Sequence, residues 1–220
     1  MNTRRILLLL VVLLAALAVG CQRAPKKTTD VPPVLSHQYS ISVMPFTQPR
    51  DTCEMIMGQM PENQGCINPS DMAYLDVDLR EMLRSRKNGR QLSFASLSAV
   101  PSIKGLNFRA SAQPAALKTW AEVARRSGKD FILVPLVIDW QERDGNEGGV
   151  KTPARVHLEM YLIRSATGTI QRRVIWEEEQ VGLADNLLTV GDFFKRRGQW
   201  VSGRELAQEG IAAMLKELGL

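Results

Sequence analysis

The stretch that most constrains the fold is the apolar run FILVPLVIDW at residues 131–140. A strand with one face in water alternates apolar and polar residues, whereas a continuous apolar run is typical of a central strand covered on both faces. Pro135 has no backbone N–H to donate, so we expect a bulge or an edge at that position. The run therefore predicts a sheet with other elements packed on both sides.

Six further segments have the patterns of strands or their connections. Residues 39–46 (YSISVMPF) alternate apolar residues with serines, which predicts a strand with one buried face, and residues 91–96 form a second, shorter strand. Residues 155–163 alternate in the same way, with Val156, Leu158, Met160 and Leu162 against Arg155, His157, Glu159 and Tyr161. The turn SATGT connects them to a long strand over residues 170–181, and DGNEGG at residues 144–149 is predicted to be a flexible turn.

Three segments are predicted to be helices, at residues 69–86, 114–127 and 203–218. The first has an apolar face, the second has proline in its first turn, and Ser202 and Glu205 form a capping box for the third. The order β-α-β-α-β-β-β-α indicates an α+β (α/β) domain, with a mixed sheet of about five strands and three helices. Residues 47–68 interrupt this order as a long insertion with one helical turn at most.

The N-terminus has the features of an export signal. Arg4 and Arg5 precede an apolar run of 14 residues at 6–19, too short for a membrane-spanning helix of about 20 residues. The run ends in LAVGC, which resembles the bacterial lipobox and implies cleavage before Cys21 and a lipid on its sulfur. The alternatives are an ordinary signal peptide and an uncleaved anchor. We expect a signal at residues 1–20, a lipidated tether at 21–38 and one domain at 39–220.

The tether limits how far the domain can lie from its membrane, and the net charge limits the class of partner that it can bind. Gln22 follows the lipidated cysteine, and by resemblance to the enterobacterial sorting rule this implies the outer membrane, with the domain in the periplasm. About 16 flexible residues span roughly 20–25 Å, so the domain lies near its membrane. The formal charge of +5 falls to +3 without Arg4 and Arg5, which gives no reason to expect nucleic-acid binding. Lys26 and Lys27 lie where anionic headgroups attract cations.

The insertion carries the two remaining cysteines, Cys53 and Cys66. In an oxidising compartment an even pair predicts a disulfide, which would close a loop of about 14 residues and stabilise the fold by roughly 3 kcal/mol. The same segment holds Met55, Met57 and Met60. Because thioethers and thiolates are ligands that select Cu(I), a soft-metal site is the alternative interpretation. No other metal or cofactor is expected.

The chain contains residue types that serve in catalytic sites, but they do not follow the pattern of a known catalytic motif. His37 lies in the tether, and His157 lies on the polar face of a strand without a serine or cysteine motif. The acidic residues Asp139, Glu142 and 177–179 are predicted to face solvent or to pair with Arg172 and Arg173. No phosphate-binding loop is present. We therefore expect a protein that is not an enzyme.

One segment has the composition of an interaction patch. Aromatic residues stand beside three consecutive cations there, and interface hot spots use these residue types. The alternative is that the aromatic residues cover the sheet within the monomer. The residues of this predicted patch are Phe193, Phe194, Lys195, Arg196, Arg197 and Trp200.

The strands ISVMPF and GKDFILVPLV, the hairpin LEMYLIRSATGTIQ and the closing helix together resemble a family of envelope domains. The family includes the TolB amino-terminal domain, the curli-secretion lipoprotein CsgG and the penicillin-binding-protein activator LpoB. The resemblance covers residues 39–220, and the cysteine insertion departs from its pattern. It implies a non-enzymatic accessory or assembly subunit of an envelope complex, anchored by its lipid, which binds another envelope protein or copies of itself.

Overall fold

A computed structural model describes residues 36–86, 89–100, 114–146, 149–180 and 199–220. The three helices there are α1 (Pro69–Ser85), α2 (Leu117–Arg126) and α3 (Gly203–Leu218). The strands are β1 (Ile41–Val43), β2 (Leu92–Phe94), β3 (Phe131–Gln141), β4 (Asp144–Asn146), β5 (Gly149–Thr152), β6 (Arg155–Arg164) and β7 (Ile170–Glu179). The predicted α+β class is confirmed. One addition is the hairpin β4–β5, where the sequence predicted a flexible turn.

The main sheet has the strand order β2-β1-β3-β6-β7. Strands β2, β1 and β3 are parallel, whereas β6 and β7 are antiparallel to their neighbours. The first three strands are connected through helices and the last two through a hairpin, which is why the sheet is mixed. Strand β3 is the middle strand of the five, as its apolar run predicted.

Pro135 lies within this middle strand, opposite an irregularity on the β1 side: Val43 pairs with Leu133 but Thr47 pairs with Leu136, so three residues of the β1 segment stand against two of β3. On the β1 side, the Pro135 carbonyl accepts from the N–H of Thr47 at 3.4 Å, and the N–H of Val137 donates to the Thr47 carbonyl at 2.9 Å. Regular pairing with β1 stops at Val43. The proline therefore lies where the pairing with the β1 segment is irregular, as the sequence predicted, and its missing donor interrupts no regular ladder there. The only register shift between β3 and β6 comes later, between Val137 and Asp139.

Each face of the sheet is covered by a separate apolar core. One core contains the inward side chains of α1 and α3, and the other contains those of α2 together with Met55 and Ile56 of the insertion. Strand β1 is consequently buried on both faces, including Ser42, so the prediction of one exposed face was wrong. The same covering buries Glu159 and Tyr161 on the predicted polar face of β6.

The insertion is bonded to the start of α2. It forms a single 3-10 turn at Thr52–Glu54, and its Cys53 and Met55 carbonyls accept from the N–H groups of Ala115 and Ala116 at 3.3 and 3.1 Å. Helix α2 begins at Leu117 rather than at the predicted Pro114, and these two bonds give acceptors to N–H groups that precede its first turn.

Helix α3 closes the other face. Its predicted capping box is present, since Ser202 accepts from the N–H of Glu205 and the Glu205 side chain accepts from the N–H of Ser202. Trp176 of β7 packs directly against Gly210, where an added Cβ would lie 2.5 Å from the indole Cε3. Helix α3 thus approaches the sheet to a distance that only glycine permits at this position. Among the described residues, no helix is long and apolar enough to cross a membrane.

We predict that Gly210→Ala lowers the free energy of unfolding, although alanine is the better helix former by about 1 kcal/mol. Overpacking against Trp176 costs about 1–3 kcal/mol, which outweighs the gain in propensity. Urea unfolding checks this result. In a Trp176→Leu background the same change should no longer destabilise, and a Gly210→Ala protein more stable than the wild type would contradict the packing described.

Candidate functional site

Most residues of the predicted anchor and interaction patch lie outside the described residues. These are Cys21 and the segment Phe193, Phe194, Lys195, Arg196 and Arg197. Trp200 is described; it is half-buried, and its backbone carbonyl accepts from the guanidinium of Arg143. The patch therefore stays a prediction.

The predicted disulfide is not formed in the structure, where Cys53 and Cys66 are both free. Cys53 lies in the 3-10 turn with its side chain buried, and burial, followed by the charges of Asp51 and Glu54, raises the pKa of its thiol. Cys66 is exposed, and its Sγ accepts from the Arg50 guanidinium at 2.5 Å. The two sulfurs thus differ in environment, one directed into the core and the other toward solvent.

The three methionines of the insertion also differ in burial. Met55 is fully buried in the core under α2, Met60 is half-buried, and Met57 is 42% exposed. A Cu(I) site needs its sulfur ligands on one centre, whereas this burial pattern sends Met55 and Met57 to opposite sides of the segment. Within the described ranges, no cluster of three or more His, Cys, Asp or Glu residues could hold a metal ion.

A buried polar cluster lies on β6 and β7 beneath the insertion. Glu159 is 2% exposed, and its carboxylate accepts from Arg173 Nη2 at 2.6 Å and from the hydroxyl of Tyr161. His157 Nε2 lies 3.6 Å from the same carboxylate. Gly58 of the insertion lies over the Arg173 guanidinium, because a Cβ there would be 3.0 Å from Nη2. The insertion thus covers part of the cluster, while the Arg173 side chain stays 27% exposed.

The electrostatics of this cluster favour the ionised carboxylate. Burial alone would raise the pKa of Glu159, but the nearby His157 ring and the hydrogen bonds from Arg173 and Tyr161 outweigh it and hold that pKa below its usual value. Burial and the adjacent carboxylate raise the pKa of Tyr161. Glu159 is therefore held in its ionised form at neutral pH by partners within the domain, which is the state of a structural group rather than of a proton-transfer group.

The structure pairs two arginines with acids that the sequence analysis did not assign to them. Arg173 was predicted to pair with the acids at the strand ends, yet it pairs with Glu159. Asp139 accepts from Arg155 Nε and from the N–H of Gly65, both at 2.6 Å. Alternation alone placed Glu159 in solvent, and only the position of the insertion over the strand would have revealed its burial.

A small cleft lies at the carboxyl ends of the parallel strands β1 and β2, beside α1. Its volume is about 140 Å³, and its walls include Asp76, Arg80, Phe94 and Leu97. Burial raises the pKa of Asp76, whose carboxylate accepts from the N–H of Phe46 at 2.7 Å. Arg80 lies over the ring of Phe94 at 5.3 Å, and its Nε is buried without a hydrogen-bond partner. This end of the sheet therefore exposes cationic and apolar groups together.

Large apolar side chains are exposed at both ends of the sheet. At the β2 end, Leu97 is 69% exposed and lies beside α1, which exposes Val77 there. Tyr74 is exposed on the side of α1 that faces α3. At the β7 end, Ile175 is 48% exposed and Met57 of the insertion is also exposed. These five are all the exposed large hydrophobic residues of the described ranges. Four of the five thus lie at the two ends of the sheet, Val77 and Leu97 at one and Met57 and Ile175 at the other.

No protein-family profile matches the chain, and no curated protein matches its sequence. The fold is similar to that of the PelC dodecamer from Paraburkholderia phytofirmans, with 15% identity and a TM-score of 0.47 over 85% of this chain and 91% of that chain. A lipoprotein from Neisseria meningitidis gives 11% identity and a TM-score of 0.38 over 72% of this chain and 94% of that one.

The C-terminal domain of LpoB from Escherichia coli is a third structural neighbour. It has 15% identity and a TM-score of 0.32 over 64% of this chain and 83% of that chain. The structural neighbours thus include bacterial lipoproteins, and similarity at this level assigns no function. The resemblance to TolB and CsgG stays a prediction.

We predict that Glu159→Gln destabilises the fold by about 3–5 kcal/mol near neutral pH, because it leaves the guanidinium of Arg173 without its anion. Since the folded pKa of Glu159 is lowered, its stabilisation is complete above the unfolded pKa of about 4.3 and is lost as the pH falls through the folded pKa. The difference between wild type and variant should therefore shrink on acidification.

Urea unfolding at a series of pH values measures this difference. The matched control is Glu177→Gln, an exposed acid on the neighbouring strand, which should change the stability by less than about 0.5 kcal/mol. A difference between wild type and Glu159→Gln that stays constant from about pH 6 to about pH 3 would contradict the ionised, bonded state of Glu159.

Proposed function

We propose that this chain is a lipid-anchored envelope lipoprotein that acts without catalysis, as an accessory or assembly subunit that binds protein. The observation that carries the proposal is the concentration of exposed apolar side chains at the two ends of the sheet, with Leu97 at one and Ile175 at the other. Burying such side chains against a partner contributes about 25 cal/mol per Å² of apolar surface. A partner bound there would bury this apolar surface, which is otherwise in contact with water.

The residue types exposed along α1 support protein binding. On its β2 side Arg80 lies over Phe94, and on its α3 side Tyr74 lies under the guanidinium of Arg204 at 4.2 Å. Tyrosine and arginine are enriched among interface hot spots because they combine apolar area with directed hydrogen bonds. Both side chains are held by contacts within the domain, so little conformational entropy is lost when a partner binds.

The burial of the most perturbed ionisable groups supports a role without catalysis. Glu159 and Tyr161 are inaccessible and bonded to each other, and Arg173 completes the group. A general acid or base needs access to a substrate proton and a pKa near the working pH. These groups have neither property, and they stabilise the contact between the insertion and the sheet.

The anchor completes the proposal. A lipid on Cys21 concentrates the domain at the outer membrane, and a tether of roughly 20–25 Å keeps the two ends of the sheet near that surface in the periplasm. Confinement of this kind raises the effective concentration of any partner on the same membrane. Weak contacts at exposed sheet ends then suffice for assembly.

Mass spectrometry of the mature N-terminus tests the anchor. We expect the chain to begin at Cys21 with a diacylglyceryl group, and Cys21→Ser to abolish the lipid and release the protein from washed membranes. Cys66→Ser is the matched control, because it also removes one exposed thiol and should leave the protein in the membrane. A wild-type protein with an intact signal segment or an unmodified Cys21 would contradict the proposal.

A further inference from the structure

We propose that the partner of this domain is a second copy of the chain, bound head to tail through two different surfaces. The first, the basic surface, consists of Val77, Arg80, Arg84, Phe94 and Leu97 at the β2 end of the sheet. The second, the acidic surface, consists of Met57, Ile175, Glu177 and Glu179 at the β7 end. This inference rests on the proposed function and names its partner.

The basic surface is built by helical periodicity. Val77, Arg80 and Arg84 are spaced by three and four residues on α1, so they follow one another along one side of the helix. Both guanidinium groups lie 5.3 Å from the ring centre of Phe94, which packs them against β2. Leu97 projects beside them. The result is a row of cations bordered by exposed apolar side chains.

These cations have unused bonding capacity. Within the described ranges, no carboxylate lies within ion-pair distance of Arg80 or Arg84. The nearby acid Asp76 is occupied by the N–H of Phe46. Arg84 is exposed and Arg80 is half-buried, so their accessible N–H groups can donate to a carboxylate supplied from outside the domain.

The acidic surface is built by strand periodicity. Ile175, Glu177 and Glu179 alternate along β7, so their side chains lie on one face of the edge strand. All three are exposed, and Met57 adds a further exposed apolar group near that face, next to the Gly58 that lies over Arg173. In the described part of the chain, Glu177 and Glu179 form no ion pair, because Arg155, which lies across the strand pair from Glu179, is paired with Asp139. The surface combines anions with apolar side chains, as the basic surface combines cations with them.

The positions of the two surfaces exclude their neutralisation within one molecule. Strands β2 and β7 are the two edges of a five-stranded sheet, about 19 Å apart at the usual strand spacing. Complementary surfaces at opposite edges are satisfied when the acidic end of one copy meets the basic end of the next. Such a contact is heterologous, and it extends into a ring or an open chain of more than two copies.

Charge reversal of each surface tests the proposal. The detergent-solubilised full-length lipoprotein and the protein on lipid vesicles are compared, with mass measured by light scattering and neighbours by chemical cross-linking. We expect assemblies larger than a dimer for the wild type. Arg80→Glu with Arg84→Glu, or Glu177→Arg with Glu179→Arg, should each weaken assembly by more than about tenfold, because like charges then meet.

The decisive experiment mixes the two charge-reversed variants. Each mutated surface finds an opposite charge on the other protein, so the mixture should assemble although neither component does alone. Lys118→Glu with Arg126→Glu on the exposed side of α2 is the matched control and should assemble as the wild type does. If the arginine variant does not fold, as judged by circular dichroism, Leu97→Asp replaces it as the variant that prevents assembly.

Two results would overturn the inference: a wild type that stays monomeric or dimeric in both settings, or a mixture that fails to recover assembly from two folded variants. Neither result bears on the lipid of Cys21. A lipidated monomer that cross-links to an unrelated protein in its native membrane would retain the proposed function and reject the second copy as partner. An unlipidated N-terminus would reject the proposed function itself.

Discussion

The structure depends on the burial of β3 on both faces and along both edges. This strand pairs with β1 on one side and with β6 on the other, and nearly all of its side chains are buried. Its apolar residues are stable only because α1 and α3 cover one face while α2 and the insertion cover the other. The removal of either cover would expose a row of large apolar side chains to water.

The insertion determines which side chains of β6 and β7 are buried and which are exposed. By covering β6 it buries the carboxylate of Glu159, which is tolerated because Arg173 and Tyr161 lie within bonding distance. The same covering leaves the outer part of β7 exposed, with Ile175 at its centre. The insertion therefore both covers part of the buried polar cluster and borders the acidic surface.

The sequence predicted those features that depend on local patterns. The apolar run at β3, the helix α1 from its Pro69 start and the capping box of α3 at Ser202 all follow from periodicity and end signals. The burial of Glu159 and the free state of Cys53 and Cys66 were missed, because they depend on how a segment without period folds over the sheet.

The candidate surfaces were missed for a related reason. Arg80 and Arg84 read as the solvated side of an amphipathic helix, and Glu177 and Glu179 as an acidic strand end. Their opposite positions are set by the strand order β2-β1-β3-β6-β7, which requires the parallel crossover of β3 to the other side of β1. Local periodicity carries no information on that order, so the charge complementarity of the two ends emerges only in three dimensions.

Site-specific photo-cross-linking in the native membrane tests most directly whether the ends of the sheet bind protein. A photoreactive amino acid replaces Leu97 in one variant, Ile175 in a second and Lys118 on α2 in a third. We predict that positions 97 and 175 cross-link to protein, in each case to another copy of this chain, and that position 118 does not. If neither position 97 nor position 175 cross-links to any protein, the exposed ends of the sheet are not binding surfaces.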